Sequence, residues 1–374
     1  MSTDTTSVSH AAQEAAADVV YKILVINPGS TSTKLAVYHN RTVFAETTVQ
    51  HDANELQRFE QIVDQHDLRR QTVIDWLEAE GIPLQFDAII GRGGLAKPVP
   101  GGVYRVNRRM CYDTYNAMRK HACNLGCIIA YELAAMQPVP CKAYIADPGV
   151  VDELLPEARV SGSPLMPRIC IWHALNQRAI ARRFAKQTGR RYEDINLIVC
   201  HLGGGISVAA HEHGRAVDAN NALDGEGPFS PERAGSLPAA DLIHLCFSGR
   251  YTEEQLKKRV AGQAGLVAHT GINDVRELLH RIDMGDEHAR LLIDAMIYHT
   301  AKSIAAESAV LFGKVDAILL TGGMAHSAYI TDGITRRVEH LAPVHIFPGE
   351  NEMQALAINA LYVLQGTREA KEYE

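Results

Sequence analysis

Long apolar runs are missing from this sequence. No stretch approaches the roughly 20 apolar residues that a membrane-spanning helix requires. Residues 1–18 lack both the basic start and the apolar segment of a secretory signal peptide. They are rich in Ser, Thr and Ala, so we expect a disordered tail there. Together these absences predict a soluble, cytoplasmic protein.

Cysteine pairs and a strong positive charge are also missing. The seven cysteines form neither a CxxC pair nor a dense framework, which indicates reduced thiols. Cys123 and Cys127, with His121 nearby, do not have the spacing of a zinc site, so core packing is the better interpretation. A formal net charge of −7 offers no broad basic field for nucleic acid or an anionic membrane. An anionic ligand therefore has to be held by a local site.

An internal repeat organises the chain. Its 374 residues exceed what one hydrophobic core usually holds, so two domains are expected. Residues 22–43 align without gaps with residues 196–217. Each segment reads as a strand, a Gly-containing turn, a second strand, a tight turn and the start of a third strand. Asn40 and Gly214 occupy the tight turns, and both tolerate a positive φ.

The repeat continues downstream. An apolar strand pattern ends in a Gly-Gly pair at residues 93–94, and another ends in a Gly-Gly pair at residues 322–323. Amphipathic patterns predict helices over 54–80 and 288–312 before these strands, and a further helix over 171–186. Both halves therefore repeat strand, strand, strand, helix, strand, with a longer insertion in the second half.

The first turn of each half has the composition of a phosphate-binding loop. One is Asn27-Pro-Gly-Ser30, and the other is His201-Leu-Gly-Gly-Gly205. Backbone N–H groups in such turns approach phosphate oxygens closely because no Cβ intervenes. A P-loop is excluded, because the segment before Lys34 lacks the second glycine and leads into a strand. The GRGGLA string at 91–96 matches a loose dinucleotide pattern, but prolines follow where a helix should begin.

Seven strings together resemble the acetate and butyrate kinase family over residues 20–365. They are INPGSTSTK (26–34), GRGGLAKPVPGG (91–102), HACNLGCIIAYELA (121–134), DPGVVDE (147–153), HALNQRAIARRFA (173–185), CHLGGGISVAA (200–210) and PFSPERAGSLP (228–238). The resemblance implies a duplicated ribonuclease-H-like α/β fold of the actin-like ATPase type, with an interdomain cleft that closes on substrates. The expected domains are residues 20–155 plus 353–366, and residues 156–352.

Within this family the sequence favours the butyrate kinase branch. GRGG stands where acetate kinases usually have an HRVVHGG-like segment, and WHALNQ stands where they usually have GFHGTS. Both segments are expected beside the acyl group, so an altered acid pocket is predicted. The resemblance implies ATP as phosphoryl donor, a short-chain carboxylic acid as acceptor, Mg²⁺ as cofactor and a homo-oligomer.

Charge neutralisation should dominate the chemistry. A carboxylate is already ionised at pH 7 and needs no general base, but two anions must meet. Arg92 and Arg233, each in a Gly- or Pro-rich loop, are the first candidates for holding the carboxylate and the transferring phosphoryl group. His201, just before three glycines, is predicted to donate a hydrogen bond to the γ-phosphoryl group. His173 matches the second active-site histidine of the family, although a structural role stays open.

The remaining site residues follow from the resemblance. Asp147 is a candidate Mg²⁺ contact through water, with Glu352 as second metal carboxylate and Glu350 as its competitor. Asn124 is a candidate substrate contact that alternatively caps a helix beginning at Leu125. The nucleotide and its phosphates are assigned to Asn27, Ser30, Ser32, Lys34, Gly203, Gly204, Gly205, Asp274, Arg276, Gly322, Gly323 and Met324.

Two rival functions remain at this point. A close relative with the same catalytic residues would act on acetate, propionate or a branched-chain acid, and only the acid pocket separates it. A rival of another class is a nucleotide-gated binding module like the Hsp70 ATPase domain, which acid-dependent ADP formation would distinguish. A transcription regulator would need a helix-turn-helix segment, for which residues 1–18 and the net charge give no support.

Overall fold

The computed structural model describes residues 19–374, and the predicted tail at 1–18 lies outside them. Two compact units divide this part of the chain. The first contains residues 19–96, 102–146 and 353–374, and the second contains residues 97–101 and 147–352. The sequence placed the first division after residue 155, whereas the contacts divide the chain after Ala146.

The first unit is built on a six-stranded sheet in the order β3-β2-β1-β4-β6-β5. Strands β1 and β2 form an antiparallel hairpin that β3 continues, while β1, β4 and β6 are parallel to one another. β5 runs antiparallel to β6. The strands are β1 (Lys22–Pro28), β2 (Ser32–His39), β3 (Thr42–Gln50), β4 (Ala88–Arg92), β5 (Val103–Arg105) and β6 (Lys142–Ala146).

The second unit is built on a five-stranded sheet in the order β11-β10-β7-β8-β9. Strands β7, β8 and β9 form an antiparallel meander, and β10 and β11 run parallel to β7. The strands are β7 (Asn196–Leu202), β8 (Ile206–Glu212), β9 (Arg215–Ala219), β10 (Ala317–Gly322) and β11 (Val344–Pro348). The repeat of strand, strand, strand, helix, strand predicted from the sequence is present in both units.

Thirteen α-helices are assigned in residues 19–374, with short 3₁₀ turns at Ile62–Gln65, Tyr192–Asp194 and Gly323–His326. None of the helices in this range has the length and apolar character needed to cross a bilayer. They are α1 (Ala53–Leu56), α2 (His66–Ala79), α3 (Arg108–Tyr115), α4 (Asn124–Met136), α5 (Pro156–Arg159), α6 (Ala174–Gln187), α7 (Ala239–Cys246), α8 (Glu253–Lys258), α9 (Leu266–Thr270), α10 (Val275–Asp283), α11 (Glu287–Val310), α12 (Ala328–Val338) and α13 (Glu352–Leu364).

Alternation along β7 shows how the second sheet is covered on both faces. Ile198, Cys200 and Leu202 pack in a core cluster that includes the buried face of α11. Leu197 and Val199 point the other way, into a cluster with α6. Successive side chains of a strand alternate between faces, so His201 lies on the α6 face.

Local hydrogen bonds explain where two predicted helices are wrong. The continuous helix expected over 54–80 is broken, because extended Gln61 donates its N–H to Asp64 at 3.0 Å and starts a new 3₁₀ turn there. The helix expected over 171–186 begins only at Ala174, because Ile171 pairs with Asn221 as an isolated bridge. The helix predicted over 288–312 is present as α11, capped by Asp286.

Candidate active site

The glycine loop of the second unit connects β7 to β8. Gly203 donates its N–H to the Gly205 carbonyl at 3.1 Å, which makes a tight turn. The Gly204 carbonyl accepts from the Ser230 hydroxyl at 2.7 Å and from the Glu232 N–H at 3.3 Å. These two hydrogen bonds to the Gly204 carbonyl restrain the loop, as a preorganised anion site requires.

Two glycines in this loop are required by their neighbours. A Cβ on Gly203 would lie 2.7 Å from His201 Nε2, and a Cβ on Gly205 would lie 2.6 Å from an Arg233 Nη. At Gly204 the nearest atom would be a Glu232 oxygen at 3.5 Å, which is ordinary contact. The loop therefore has no side chain at the two positions where the predicted histidine and arginine contact it.

His201 and His173 form a stacked pair beside this loop. Their ring centroids are 3.8 Å apart with an interplanar angle of 10°. His201 is buried, its Nδ1 lies 2.8 Å from Asn176 Oδ1, and its Nε2 lies 3.7 Å from a Glu350 carboxylate oxygen. His173 precedes α6, and its Nδ1 lies 2.8 Å from Ser207 Oγ. The structure thus brings both predicted histidines together.

Arg233 is held in a loop that folds against the same turn. Its guanidinium donates to the Ala222 carbonyl at 2.6 Å, and its own carbonyl accepts from the Ser230 N–H at 3.0 Å. The backbone around it is so tightly packed that a Cβ on Gly265 would lie 1.8 Å from the Ser230 carbonyl oxygen. The loop therefore fixes the approach of Arg233 to Gly205.

A cavity of about 830 Å³ opens next to the glycine loop. This volume lies in the range of ligand sites for small molecules. Gly203, Gly204, Glu232, Gly323, Met324 and Glu350 contribute to its wall, together with the start of α10. It lies at the carboxyl ends of the parallel strands β7 and β10, where open α/β sheets bind ligands.

The predicted adenosine segments reach this cavity with mixed local roles. Asp274 caps α10 by accepting from the Arg276 N–H at 2.9 Å, and it pairs with the exposed Arg276 side chain at 2.8 Å. That hydrogen-bonded pair lowers the pKa of Asp274. Gly322 has a φ of 93°, and a Cβ there would lie 2.4 Å from the Leu202 carbonyl oxygen. Gly322 is thus required by strand packing, whereas Gly323 has nothing within 4 Å of an added Cβ.

Asp147 lies deep in the second unit and has left-handed backbone with φ 38°. Its carboxylate pairs with Arg178 at 3.0 Å and Arg182 at 3.2 Å. Glu350, by contrast, lines the cavity, while Glu352 is the first residue of α13. No group of three or more His, Cys, Asp and Glu side chains in residues 19–374 is arranged to hold a metal.

In the first unit, the predicted Asn27 turn is fixed by an arginine that the sequence analysis missed. Fully buried Arg69 of α2 donates to the carbonyls of Gly29 at 2.8 Å, Ser32 at 3.0 Å and Ser30 at 3.2 Å. Burial lowers the pKa of Arg69 to about 10. The arginine thus occupies the carbonyl acceptors of the turn. Asn27 pairs with Lys34 across the β1–β2 ladder. An arginine within an amphipathic helix pattern gives no sequence signal for this role.

Arg92 ends β4 in the first unit, and close glycine packing positions it. A Cβ on Gly91 would lie 2.0 Å from the Gly126 carbonyl oxygen, and one on Gly126 would lie 2.4 Å from the Arg92 carbonyl oxygen. Asn124 accepts from the Leu95 N–H at 2.8 Å and donates to the Arg119 carbonyl at 3.0 Å. The predicted helix cap at Asn124 is wrong, because α4 begins at Asn124 itself and Cys123 occupies the cap position.

Two of the residues by which WHALNQ differs from the acetate kinase pattern lie in the protein interior and not at an open acid pocket. Asn176 and Gln177 are fully buried, and their amides contact His201 and Ser207. Sequence analysis noted this string but did not assign roles to its two amides. Buried amides that fix histidine rings leave no periodic signal, so only the tertiary contacts show them.

Comparison with solved structures first identifies the fold. The fold matches the crystal structure of Porphyromonas gingivalis acetate kinase with a TM-score of 0.74 at 17% identity, covering 92% of this chain and 100% of that one. A propionate kinase from Francisella tularensis gives a TM-score of 0.72 at 17% identity, covering 91% and 98%. The predicted actin-like ATPase fold is therefore confirmed.

The family follows from sequence. Residues 168–354 match the acetokinase family. A "Probable butyrate kinase" of Bacteroides thetaiotaomicron is 61% identical over 345 residues, covering 92% of this chain and 98% of that protein. "Butyrate kinase 2" of Clostridium acetobutylicum is 48% identical over 356 residues, covering 95% and 99%. The chain belongs to the acetokinase family and is a phosphotransferase with a carboxyl group as acceptor.

Proposed function

We propose that this protein transfers the γ-phosphoryl group of ATP to butyrate, reversibly forming butyryl phosphate and ADP. The observation that carries the proposal is the joint placement of the stacked His201–His173 pair, the glycine loop and Arg233 beside the cavity that Gly323 and Met324 line. Butyrate as the acid is supported by the relatives named butyrate kinase at 48% and 61% identity.

The proposed roles follow from charge. Phosphoryl transfer to a carboxylate requires alignment and neutralisation of negative charge, and no proton has to be removed from the nucleophile. Arg233 would neutralise charge on the transferring group, and the N–H groups of Gly203–Gly205 would bind the phosphate chain. Arg92 would hold the acid carboxylate as a planar fork. Asn27, Ser30, Ser32 and Lys34 stay proposals for phosphate contacts.

Magnesium is proposed to enter with ATP. When bound, it would neutralise charge on the β- and γ-phosphoryl oxygens. Among the proposed metal carboxylates, Glu350 lies in the cavity wall, and Asp147 is already compensated by Arg178 and Arg182. Glu352 stays a candidate at the first position of α13. Assembly into a homo-oligomer is proposed from the family resemblance, and a cytoplasmic location from the sequence features described above.

The chain length of the acid tests the proposal. Acyl hydroxamate formation would be measured with saturating Mg·ATP and acetate, propionate, butyrate, isobutyrate or valerate. Each buried methylene contributes about 0.8 kcal/mol, so we expect kcat/KM for butyrate to exceed that for acetate by about tenfold to a few hundredfold. Acetate or propionate as the best acid would overturn butyrate while leaving carboxylate phosphorylation in place. ADP formation that does not depend on any acid would favour a nucleotide-gated binding module.

A further inference from the structure

A chain of buried hydrogen bonds runs behind the stacked histidines. Ser207 and His211 lie on the α6 face of β8, two residues either side of Ala209, and both are fully buried. Gln177 reaches from α6 to both of them. Tyr192 closes the chain with its hydroxyl 2.6 Å from His211 Nδ1. We refer to Tyr192, His211, Gln177 and Ser207 as the relay.

The direction of each hydrogen bond in the relay follows from counting donors. The Gln177 Nε2 group donates to the Ser207 carbonyl at 3.0 Å and to Ser207 Oγ at 2.8 Å. A carbonyl only accepts, so the orientation of the amide is fixed and Gln177 Oε1 faces His211 Nε2 at 3.1 Å. His211 Nε2 therefore carries a proton and donates it to Gln177.

Because His211 is neutral, the hydrogen-bonding role of its second ring nitrogen, Nδ1, follows as well. Burial, together with the nearby cations Arg178 and Arg182, lowers the pKa of His211 to about 3. A neutral imidazole has one N–H, so His211 Nδ1 accepts and the Tyr192 hydroxyl donates to it at 2.6 Å. The same burial raises the pKa of Tyr192 to about 12, so the hydroxyl keeps its proton.

The same counting of donors and acceptors gives the tautomer of His173. Ser207 Oγ receives the Gln177 amide at 2.8 Å and the His173 backbone N–H at 3.3 Å. These two donors occupy the acceptor sites of the hydroxyl. Its proton is then directed to the third neighbour, His173 Nδ1, at 2.8 Å. His173 Nδ1 accepts, so the imidazole proton of His173 lies on Nε2.

The neighbouring histidine has the opposite arrangement. Asn176 Nδ2 donates to the Glu350 carbonyl at 2.7 Å, which fixes that amide with its oxygen toward His201 Nδ1 at 2.8 Å. His201 therefore donates from Nδ1, and its Nε2 can donate to an anion only in the imidazolium form. The two stacked rings thus carry different tautomers, because Asn176 accepts directly from His201 whereas Gln177 acts on His173 through Ser207.

We propose that Ser207 and Gln177 are positioning residues that hold His173 as the neutral Nε2–H tautomer, which makes it a hydrogen-bond donor to phosphoryl oxygens at the glycine loop. The donor role rests on the proposed function, whereas the tautomer does not. Tautomer control of this kind sets which ring nitrogen faces the reaction.

Histidine-selective ¹⁵N labelling of the full-length protein tests the tautomer directly. Two-bond ¹H–¹⁵N spectra at pH 8 without substrates distinguish the two neutral forms, and His173→Gln identifies the His173 signals among the 17 histidines. We expect protonated Nε2 at His173. Gln177→Glu keeps the acceptor for His211 but cannot donate to Ser207, so the Ser207 proton turns to residue 177 and His173 should switch to Nδ1–H.

Activity and a matched control complete the test. Gln177→Glu and Ser207→Ala should each lower kcat at least about tenfold, with a much smaller change in KM for the acid, because an oriented donor to the reacting group is lost. Gln187→Glu makes the same chemical change at an exposed position of α6 and should alter neither spectrum nor kcat. Thermal unfolding would identify a variant that fails to fold, and Ser207→Ala, which adds no charge, then carries the test.

Wild-type His173 with its proton on Nδ1, or an unchanged His173 tautomer in folded Gln177→Glu, would overturn the proposal. An inactive wild-type protein toward butyrate would leave the spectroscopic result standing and would instead contradict the proposed function.

Discussion

Hydrogen bonding and close packing set the orientation of the Arg233 side chain. Its guanidinium donates to the Ala222 carbonyl at 2.6 Å, and its Nη group approaches the position that a Gly205 Cβ would occupy. The carbonyl partner fixes the orientation of the planar group. An oriented guanidinium is what the proposed role in stabilising negative charge requires.

The first prediction concerns Arg233. Arg233→Ala should lower kcat by about a hundredfold or more, the effect expected for losing one oriented donor in phosphoryl transfer. Arg233→Lys keeps the charge but loses the planar fork, so it should restore activity only in part. Steady-state kinetics with butyrate and Mg·ATP measure both. Arg250→Ala, on an exposed loop, is the control; an Arg233→Ala enzyme with normal kcat and only a raised KM would contradict the role.

The glycine loop is the element that connects the predicted residues. Each glycine of the loop has different neighbours. Alanine substitutions can therefore distinguish the effect of close contact with Arg233 from the effect of reduced backbone flexibility. The flexible Arg233 side chain can move away from an added methyl group at Gly205, whereas nothing has to move at Gly204. Substitution at Gly205 should thus disturb chemistry more than folding.

The second prediction compares these two glycines. Gly205→Ala should displace the Arg233 guanidinium, since its Cβ would lie 2.6 Å from that group, and kcat should fall at least about tenfold with the melting temperature little changed. Gly204→Ala, whose Cβ would meet only Glu232 at 3.5 Å, should leave Arg233 in place, so its kcat should fall less than that of Gly205→Ala. Kinetics and thermal unfolding of both variants test this. Equal activity loss in the two variants would show that loop flexibility, and not the approach of Arg233, sets the rate.

Elements with a regular pattern could be predicted from the sequence, and those fixed by tertiary contacts could not. The strands of the repeat and α11 follow from hydrophobic periodicity, and the turn at Asn40 was found from its tolerance of a positive φ, observed at 53°. The broken helix near Gln61 depends on one side-chain hydrogen bond to Asp64. Arg69 and Gln177 were missed because their roles arise from residues 30 or more positions away.

At the scale of the molecule, the two units use one sheet plan for different interiors. The order β3-β2-β1-β4-β6 of the first sheet corresponds strand for strand to β9-β8-β7-β10-β11 of the second. In the first unit, β1 buries Ile23, Leu24, Val25 and Ile26. In the second, the hairpin buries His201, Ser207 and His211 in addition to the apolar residues of β7. Duplication thus supplied a common frame, and polar substitution inside one copy supplied the histidine network.

That buried network makes the stability of the whole protein depend on pH. An ordinary histidine titrates near 6.5, whereas burial and the cations Arg178 and Arg182 lower the pKa of His211 to about 3. Between these two values the unfolded chain binds a proton at this site and the folded chain does not. The contribution of His211 is therefore fully present above pH 6.5 and is lost as the pH falls toward 3.

The third prediction follows from this difference in protonation. Acidification below pH 6.5 should reduce the free energy of unfolding by up to about 1.4 kcal/mol per pH unit through His211 alone. Urea unfolding between pH 7.5 and 4.5 should show a shallower decline in His211→Gln than in the wild type, whatever the offset between the two curves at pH 7.5. His213→Gln, at an exposed turn two residues away, should keep the wild-type slope. If wild type and His211→Gln lose stability in parallel, the proton is not excluded from His211 in the folded state, and the neutral form on which the direction of the relay depends would be wrong.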